Sequence, residues 1–199
     1  MEEIISKEEV NELMSLKGEV KGTGIKTHGE FILKEEGEEG LKKLEETMAN
    51  LGYPIGFKKV RATTLYHFGV EAIILVAIKR LFNYDDKKFQ EMGKFHAKVS
   101  LIIRLFMKYF ISLERMAKEG QKLWRRYFTI GELKVVEIDE RGRHLSFRVE
   151  NFKFHPLHCQ ILIGSLSTII QMIIGKPVTY EEVKCLHRGD DHHEFLVTW

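Results

Sequence analysis

Residues 185–195 read Cys-Leu-His-Arg-Gly-Asp-Asp-His-His-Glu-Phe, which gathers a thiol, three imidazoles and two adjacent carboxylates around one glycine. Such side chains can ligate a metal, move protons or simply close a turn, and a short polar cluster does not choose among these by itself. Pairing the flanking segments as a hairpin centred on Gly189 sets Cys185 opposite His193, Val183 opposite Phe195 and Lys184 opposite Glu194. The first two pairs share one face and the third is an opposite-charge pair on the other, the pattern of a sheet with one buried side. Asp190 and Asp191 then fall in the turn, where Asp is favoured for its local side-chain-to-backbone bonds. Only Cys185 and His193 remain as chemistry, with Cβ atoms about 5 Å apart; His187 and His192 are expected at the surface.

A thiolate sulfur and an imidazole nitrogen so placed can share a zinc ion, at about 2.3 and 2.1 Å. A tetrahedral site needs one or two ligands more, and the other thiol in the chain is Cys159, flanked by His155 and His158. The candidate metal site is therefore Cys159, Cys185 and His193, with zinc bracing the hairpin against the helix that starts near Cys159. The long gaps are not those of a finger-type motif, and two buried thiols beside a hydrogen-bonded histidine satisfy the same spacing.

Other chemistries find less support. A Gly-x-Ser-x-Gly elbow, a phosphate loop and a His-Glu-x-x-His pair are all missing from the sequence. The glycines from Gly24 to Gly29 are too loosely spaced for a phosphate cradle. The basic, aromatic run Lys122–Phe128 is flanked by Glu114, Glu119 and Glu132 in a chain of net charge +2, so a solvated helix face is expected and nucleic acid is not. No catalytic residue is assigned, and binding without bond chemistry is the expectation.

The elements that must position these residues follow from periodicity. Ser6-x-x-Glu9 is a capping box that opens a short helix to about Leu16. Residues 19–33 mix β-branched residues with Gly22, Gly24 and Gly29 and read as a strand pair or a bent strand, followed by a helix over 37–51. Tyr66–Phe82 is apolar on most sides and reads as a buried central helix. Asp86–Phe110 reads as one long helix whose seam is Phe89, Met92, His96, Val99, Ile103, Phe106 and Phe110. A further amphipathic helix starts at Ser112 and ends near Phe128. Two strands, 132–139 and 143–152, form a hairpin. Leu157–Ile174 is a helix stopped by Gly175, and two last strands close the chain. The fold class is α+β: long central helices packed on an antiparallel sheet formed mainly by the C-terminal third, in a single domain over 1–199.

Composition sets outer bounds. Of 199 residues 44% are hydrophobic, enough for a sizeable core, and 30% are charged, with Lys and Glu abundant as in heat-adapted proteins. Two cysteines cannot build a disulfide framework, and the acidic start Met-Glu-Glu-Ile-Ile-Ser is unlike a secretion signal, so a reducing cytoplasm is expected. The apolar runs at 72–78 and 159–175 fall short of the roughly 20 residues of a membrane span and read as buried helices.

The C-terminal segment resembles the 4-vinyl-reductase-type small-molecule-binding domain. Cys159, Gly164, Gly175, Pro177, Glu182, Cys185, Gly189, Asp190 and Phe195 match that family's pattern by position. A third cysteine of the pattern is His193 here, an exchange between two ordinary zinc ligands. The family is grouped with heme–nitric-oxide sensors and with a Golgi-transport subunit. The resemblance implies a sensory module that holds a largely apolar molecule between the long helices and the sheet, with Phe68, Ile74, His96, Ile103 and Phe106 lining the pocket. It also implies a signalling protein partner, since the chain shows no output domain. Two alternatives accompany this reading. One is a heme-binding gas sensor using His96 or His67, ranked below zinc because the strand at 134–140 lacks the Tyr-x-Ser-x-Arg motif that holds heme propionates. The other is a protein-interaction subunit that forms a homodimer through its helix faces.

Overall fold

The computed structural model describes residues 4–107 and 112–199. Helix α1 (Lys7–Met14) begins where the capping box predicts, with the Ser6 hydroxyl accepting the Glu9 N–H at 3.2 Å. Strand β1 (Glu19–Lys21) pairs antiparallel with β2 (Leu65–His67), and between them runs α2 (Gly22–Asn50), broken at Gly37 where φ is +72°. The stretch 19–33 is thus a strand for only three residues and helical thereafter, which corrects the expected strand pair. Its glycines answer to close packing: a Cβ on Gly22 would lie 2.3 Å from the Arg61 carbonyl oxygen, and one on Gly29 would lie 2.5 Å from the Phe57 Cβ.

Helix α3 (Phe68–Phe82) is the central element, with Ala72–Leu75 entirely enclosed. Helices α4 (Asp86–Val99) and α5 (Leu101–Met107) replace the single helix expected over 86–110. The break is at Ser100, whose ψ of 117° is extended. Ser100 is buried, and its hydroxyl pairs with the Tyr127 hydroxyl and accepts the Ile103 N–H at 3.4 Å, so it caps a new helix instead of continuing the old one. Phe110 lies outside the described residues. Helix α6 (Leu113–Tyr127) follows, capped by Ser112.

Strands β3 (Glu132–Asp139), β4 (His144–Glu150), β5 (Thr179–Lys184) and β6 (His193–Thr198) form an antiparallel sheet in the order β3-β4-β6-β5, built from the C-terminal third as expected. Helix α7 (Pro156–Ile174) sits between β4 and β5 in sequence. By length and composition it would suffice to cross a membrane, yet here more than half of it is buried by its neighbours. Its tightest neighbour is α4. A Cβ on Gly164 would lie 2.0 Å from the Gln90 carbonyl oxygen, and one on Gly93 would lie 2.1 Å from that of Ile161. The Ser165 hydroxyl donates to the Gly93 carbonyl at 2.9 Å across the same crossing.

The closing hairpin keeps the predicted Lys184–Glu194 pair but carries a bulge between Glu182 and Lys184. Glu182, not Val183, therefore faces Phe195, and Val183 turns outward to 43% exposure. The expected register is corrected by that one residue.

Candidate functional site

Two buried polar clusters meet the start of α7 at the adjacent residues His158 and Cys159. The first is the hairpin cluster. The bulge brings Glu182 inward, so that ligand atoms of Cys159, Glu182, Cys185 and His193 all lie within 4.8 Å of one another. The Gly189 turn, with φ of +98°, and the Asp190 carboxylate accepting the Cys185 N–H at 2.7 Å hold the loop that delivers Cys185. His193 is 1% exposed, with its Nε2 3.1 Å from the Phe152 carbonyl oxygen. Donation there leaves Nδ1 as a bare lone pair facing the Glu182 carboxylate at 2.9 Å and the Cys159 sulfur at 4.0 Å. Two lone pairs at such a distance repel unless a proton or a cation lies between them.

Two sulfurs, one imidazole and one carboxylate make a zinc-type donor set, and an imidazole anchored through its other nitrogen is how zinc ligands are held. Burial first, and then the Glu182 carboxylate, push the Cys159 thiol above its usual value; burial raises Cys185 as well. Both thiols are free. Metal binding here would release their protons. Glu182 was missed as a ligand because a bulge-free hairpin puts it on the outer face. His192 departs from expectation too: it is buried, with its Nε2 3.0 Å from the Glu194 carboxylate, which also accepts from Arg148 at 2.8 Å. His187 is half-buried, its ring 5.8 Å from that of His193.

The second cluster surrounds a cavity of about 70 Å³ among the helices. Its polar wall is His28 from α2, Glu71 from α3, His96 from α4 and His158 from α7; Ile103, Trp124 and Tyr127 are among its apolar and aromatic wall. The His28 Nε2 lies 2.8 Å from a Glu71 carboxylate oxygen. Five buried atoms of these four residues have no hydrogen-bond partner: His28 Nδ1, Glu71 Oε2, His96 Nε2 and both ring nitrogens of His158. An unpartnered buried polar atom costs about 1–3 kcal/mol, so five around one cavity mark a place built for something other than packing.

Burial works to raise the Glu71 carboxyl, but the His28 hydrogen bond and the electrostatic pull of the His158, His28 and His96 imidazoles together outweigh it and keep the group below the ordinary carboxylate range. Burial holds His96 down to about 3 and His158 down to about 4. Unfolded histidine titrates near 6.5, so between these values the unfolded chain binds more protons and stability must rise with pH. In the metal-free protein we expect each group to remove about 1.4 kcal/mol per pH unit as pH falls below about 6.5. Between about pH 7.5 and pH 5, His96 and His158 should together account for roughly 3–4 kcal/mol of the stability lost in urea unfolding, and His96→Gln should remove close to half of that share. Equal midpoints at the two pH values would contradict neutral, buried imidazoles.

Of the residues expected to line a pocket, His96 and Ile103 do so. Phe68 is fully buried, its ring within 4.5–6.1 Å of the Phe128, Phe152 and Phe154 rings, and Ile74 is fully buried in α3. Phe106 is half-buried on α5, and neither it, Phe68 nor Ile74 is on the cavity wall. His67 caps α3 by accepting the Gly69 N–H at 3.0 Å and stands off the cavity. His28, Glu71 and His158 were missed. The available signal was Glu71, a carboxylate inside the apolar run Phe68–Ile78, which demands a buried partner.

No family model matches the chain. An uncharacterized protein of Methanocaldococcus jannaschii is 31% identical over 80 residues, and the match covers 37% of this chain and less than half, 43%, of that protein. Among solved structures, an H-NOX protein from Shewanella oneidensis in the Fe(II)NO ligation state aligns with a TM-score of 0.66 at 13% identity, covering 89% of this chain and 97% of its own. An H-NOX protein from K. algicida gives 0.64 at 13% identity over 89% and 95% of the two chains. A structure described as modulating heme redox potential through protein-induced porphyrin distortion gives 0.63 at 11% identity over 90% and 99%. At these identities the likeness is one of architecture, and the chain has the H-NOX fold.

Proposed function

We propose that this chain is a sensor module that holds a gas-sized molecule in the cavity walled by His28, Glu71, His96 and His158. The observation that carries the reading is the set of five unpartnered buried polar atoms around one cavity. The fold supports it, since structures of that fold include Fe(II)NO and Fe(II)CO ligation states. A cavity of about 70 Å³ is too small for the larger apolar ligand suggested by the 4-vinyl-reductase-type resemblance, whose sites run to roughly 300 Å³ or more. Binding acts by shifting a conformational or partner equilibrium, with no bond chemistry, and the output passes to a signalling protein or to a second copy of the chain. Zinc at Cys159, Glu182, Cys185 and His193 braces the hairpin against α7.

A heme-centred gas sensor is the second reading, favoured by the fold likeness and by the buried, unpartnered Nε2 of His96. The imidazoles suit heme iron as axial ligands. The rest of the site does not fit a porphyrin as it stands. The cavity, at about 70 Å³, is several-fold too small, and among the described residues on its wall there is no Lys or Arg to meet two propionates beside the Glu71 carboxylate.

Trp124 on the wall gives the test. In Trp199→Phe, which leaves Trp124 as the single tryptophan, anaerobic addition of NO is expected to change Trp124 emission saturably. Leu162→Phe, which narrows the cavity, should weaken that response at least tenfold. Equal responses in the two proteins, or none in either, would end the cavity reading. A Soret band in the protein as isolated would establish heme, and a colourless protein responsive to NO would rule it out.

A further inference from the structure

We propose that His28, His96 and His158, backed by Glu71, bind a divalent transition-metal ion directly, without a porphyrin, and leave at least one coordination position open to the gas-sized ligand. This rests on the cavity being the ligand site. It deepens that reading by naming the centre that would hold the ligand.

The donor chemistry comes first. His28 Nε2–H donates to Glu71, which leaves Nδ1 as a lone pair with no protein partner. A carboxylate behind an imidazole whose other nitrogen is free is the arrangement in which metal-bound histidines are oriented and made more basic. His96 offers Nε2, and His158 offers either nitrogen. Three imidazole nitrogens suit iron, zinc, copper or nickel, and they do not suit calcium or magnesium. Charge agrees, since Glu71 is an enclosed anion whose neighbours on the cavity wall include no fixed cation among the described residues. A divalent ion supplies the missing positive charge.

Size agrees as well. About 70 Å³ accepts a bare ion with a diatomic molecule or a few waters, and not a macrocycle. The cavity residues stand more widely apart than the Cys159 group, which alone among the described residues has its ligand atoms within 4.8 Å. Binding would require the imidazoles to turn toward the ion, and the wider spacing would leave room for a small ligand in the coordination shell. Cys159 and His158 are adjacent on α7, so the two sites are neighbours and any test must separate them.

Cobalt(II) titration of the chelator-treated protein does so. We expect two classes of bound ion. One shows thiolate-to-metal charge transfer and is lost in Cys185→Ser. The other shows ligand-field bands alone and survives Cys185→Ser. The second should weaken at least a hundredfold in His96→Gln and in His158→Gln, and about 10–100-fold in Glu71→Gln. X-ray absorption at the cobalt edge guards against variants that fail to fold, because the average number of sulfurs per cobalt must fall by about half between singly and doubly loaded wild type. A single, sulfur-containing class in wild type overturns the proposal. So does a second class that both folded histidine variants retain at full affinity. The broader reading fails separately: a nitrogen-only class with no NO response at Trp124 ends the sensor, and an NO response without that class ends only the metal centre.

Discussion

Replacing Gly164 with alanine is expected to lower the melting temperature by roughly 6–12 °C, equivalent to about 3 kcal/mol. The added Cβ would stand 2.0 Å from the Gln90 carbonyl oxygen, which is backbone and cannot rotate aside. Helices α4 and α7 must then move apart, at the cost of the packing they share and of the Ser165 hydrogen bond to Gly93. Gly93→Ala meets the Ile161 carbonyl at 2.1 Å and should cost about as much. Once either substitution has separated the helices the other meets less resistance, so the double variant should lose less than the sum. Gly120→Ala is the control, with a new Cβ 3.4 Å from a Leu133 methyl and the ordinary helix preference for alanine in its favour. It should leave the melting temperature unchanged or raise it. Because α4 carries His96 and α7 carries His158, the crossing also sets the width of the cavity, and Gly164→Ala should blunt the NO response in whatever fraction stays folded.

The second large effect belongs to the hairpin. Chelation, or Cys185→Ser, is expected to remove about 3–5 kcal/mol and lower the melting temperature by roughly 10 °C, because an ion held well above its dissociation constant stabilises the folded state by about that amount. The fall should be accompanied by loss of zinc on elemental analysis. Without the ion, the His193 Nδ1 would face the Glu182 carboxylate at 2.9 Å with no metal between them. Unchanged melting after chelation, in a protein that carried no zinc beforehand, would contradict the clasp.

Much of the architecture was legible because its determinants are local. Ser6 and Ser112 cap helices as predicted, and Gly175 stops α7 with φ of +73°. Two of the failures share one physical cause, a contact between residues distant in sequence. Gly22 and Gly29 looked like strand breakers because nothing local shows that Arg61 and Phe57 press against them. Ser100 looked like one more helical residue because its partner, Tyr127, lies 27 positions away. The bulge that turned Glu182 inward is invisible to a period-two count, although Cys159, Cys185 and His193 were found without it. The cavity cluster was seen only in part. His96 stood out on an apolar seam, whereas His28 was hidden by the misread strand and His158 by its neighbour Cys159.

Native mass spectrometry of the protein as isolated, with elemental analysis of the same sample, tests the central claim most directly. The account predicts a mass in excess of the polypeptide and its hairpin zinc, matched by a second metal ion. It also predicts that this excess disappears in His158→Gln while the zinc remains. A wild-type mass explained by the polypeptide and hairpin zinc alone, unchanged in His158→Gln and on incubation with iron(II), would contradict it.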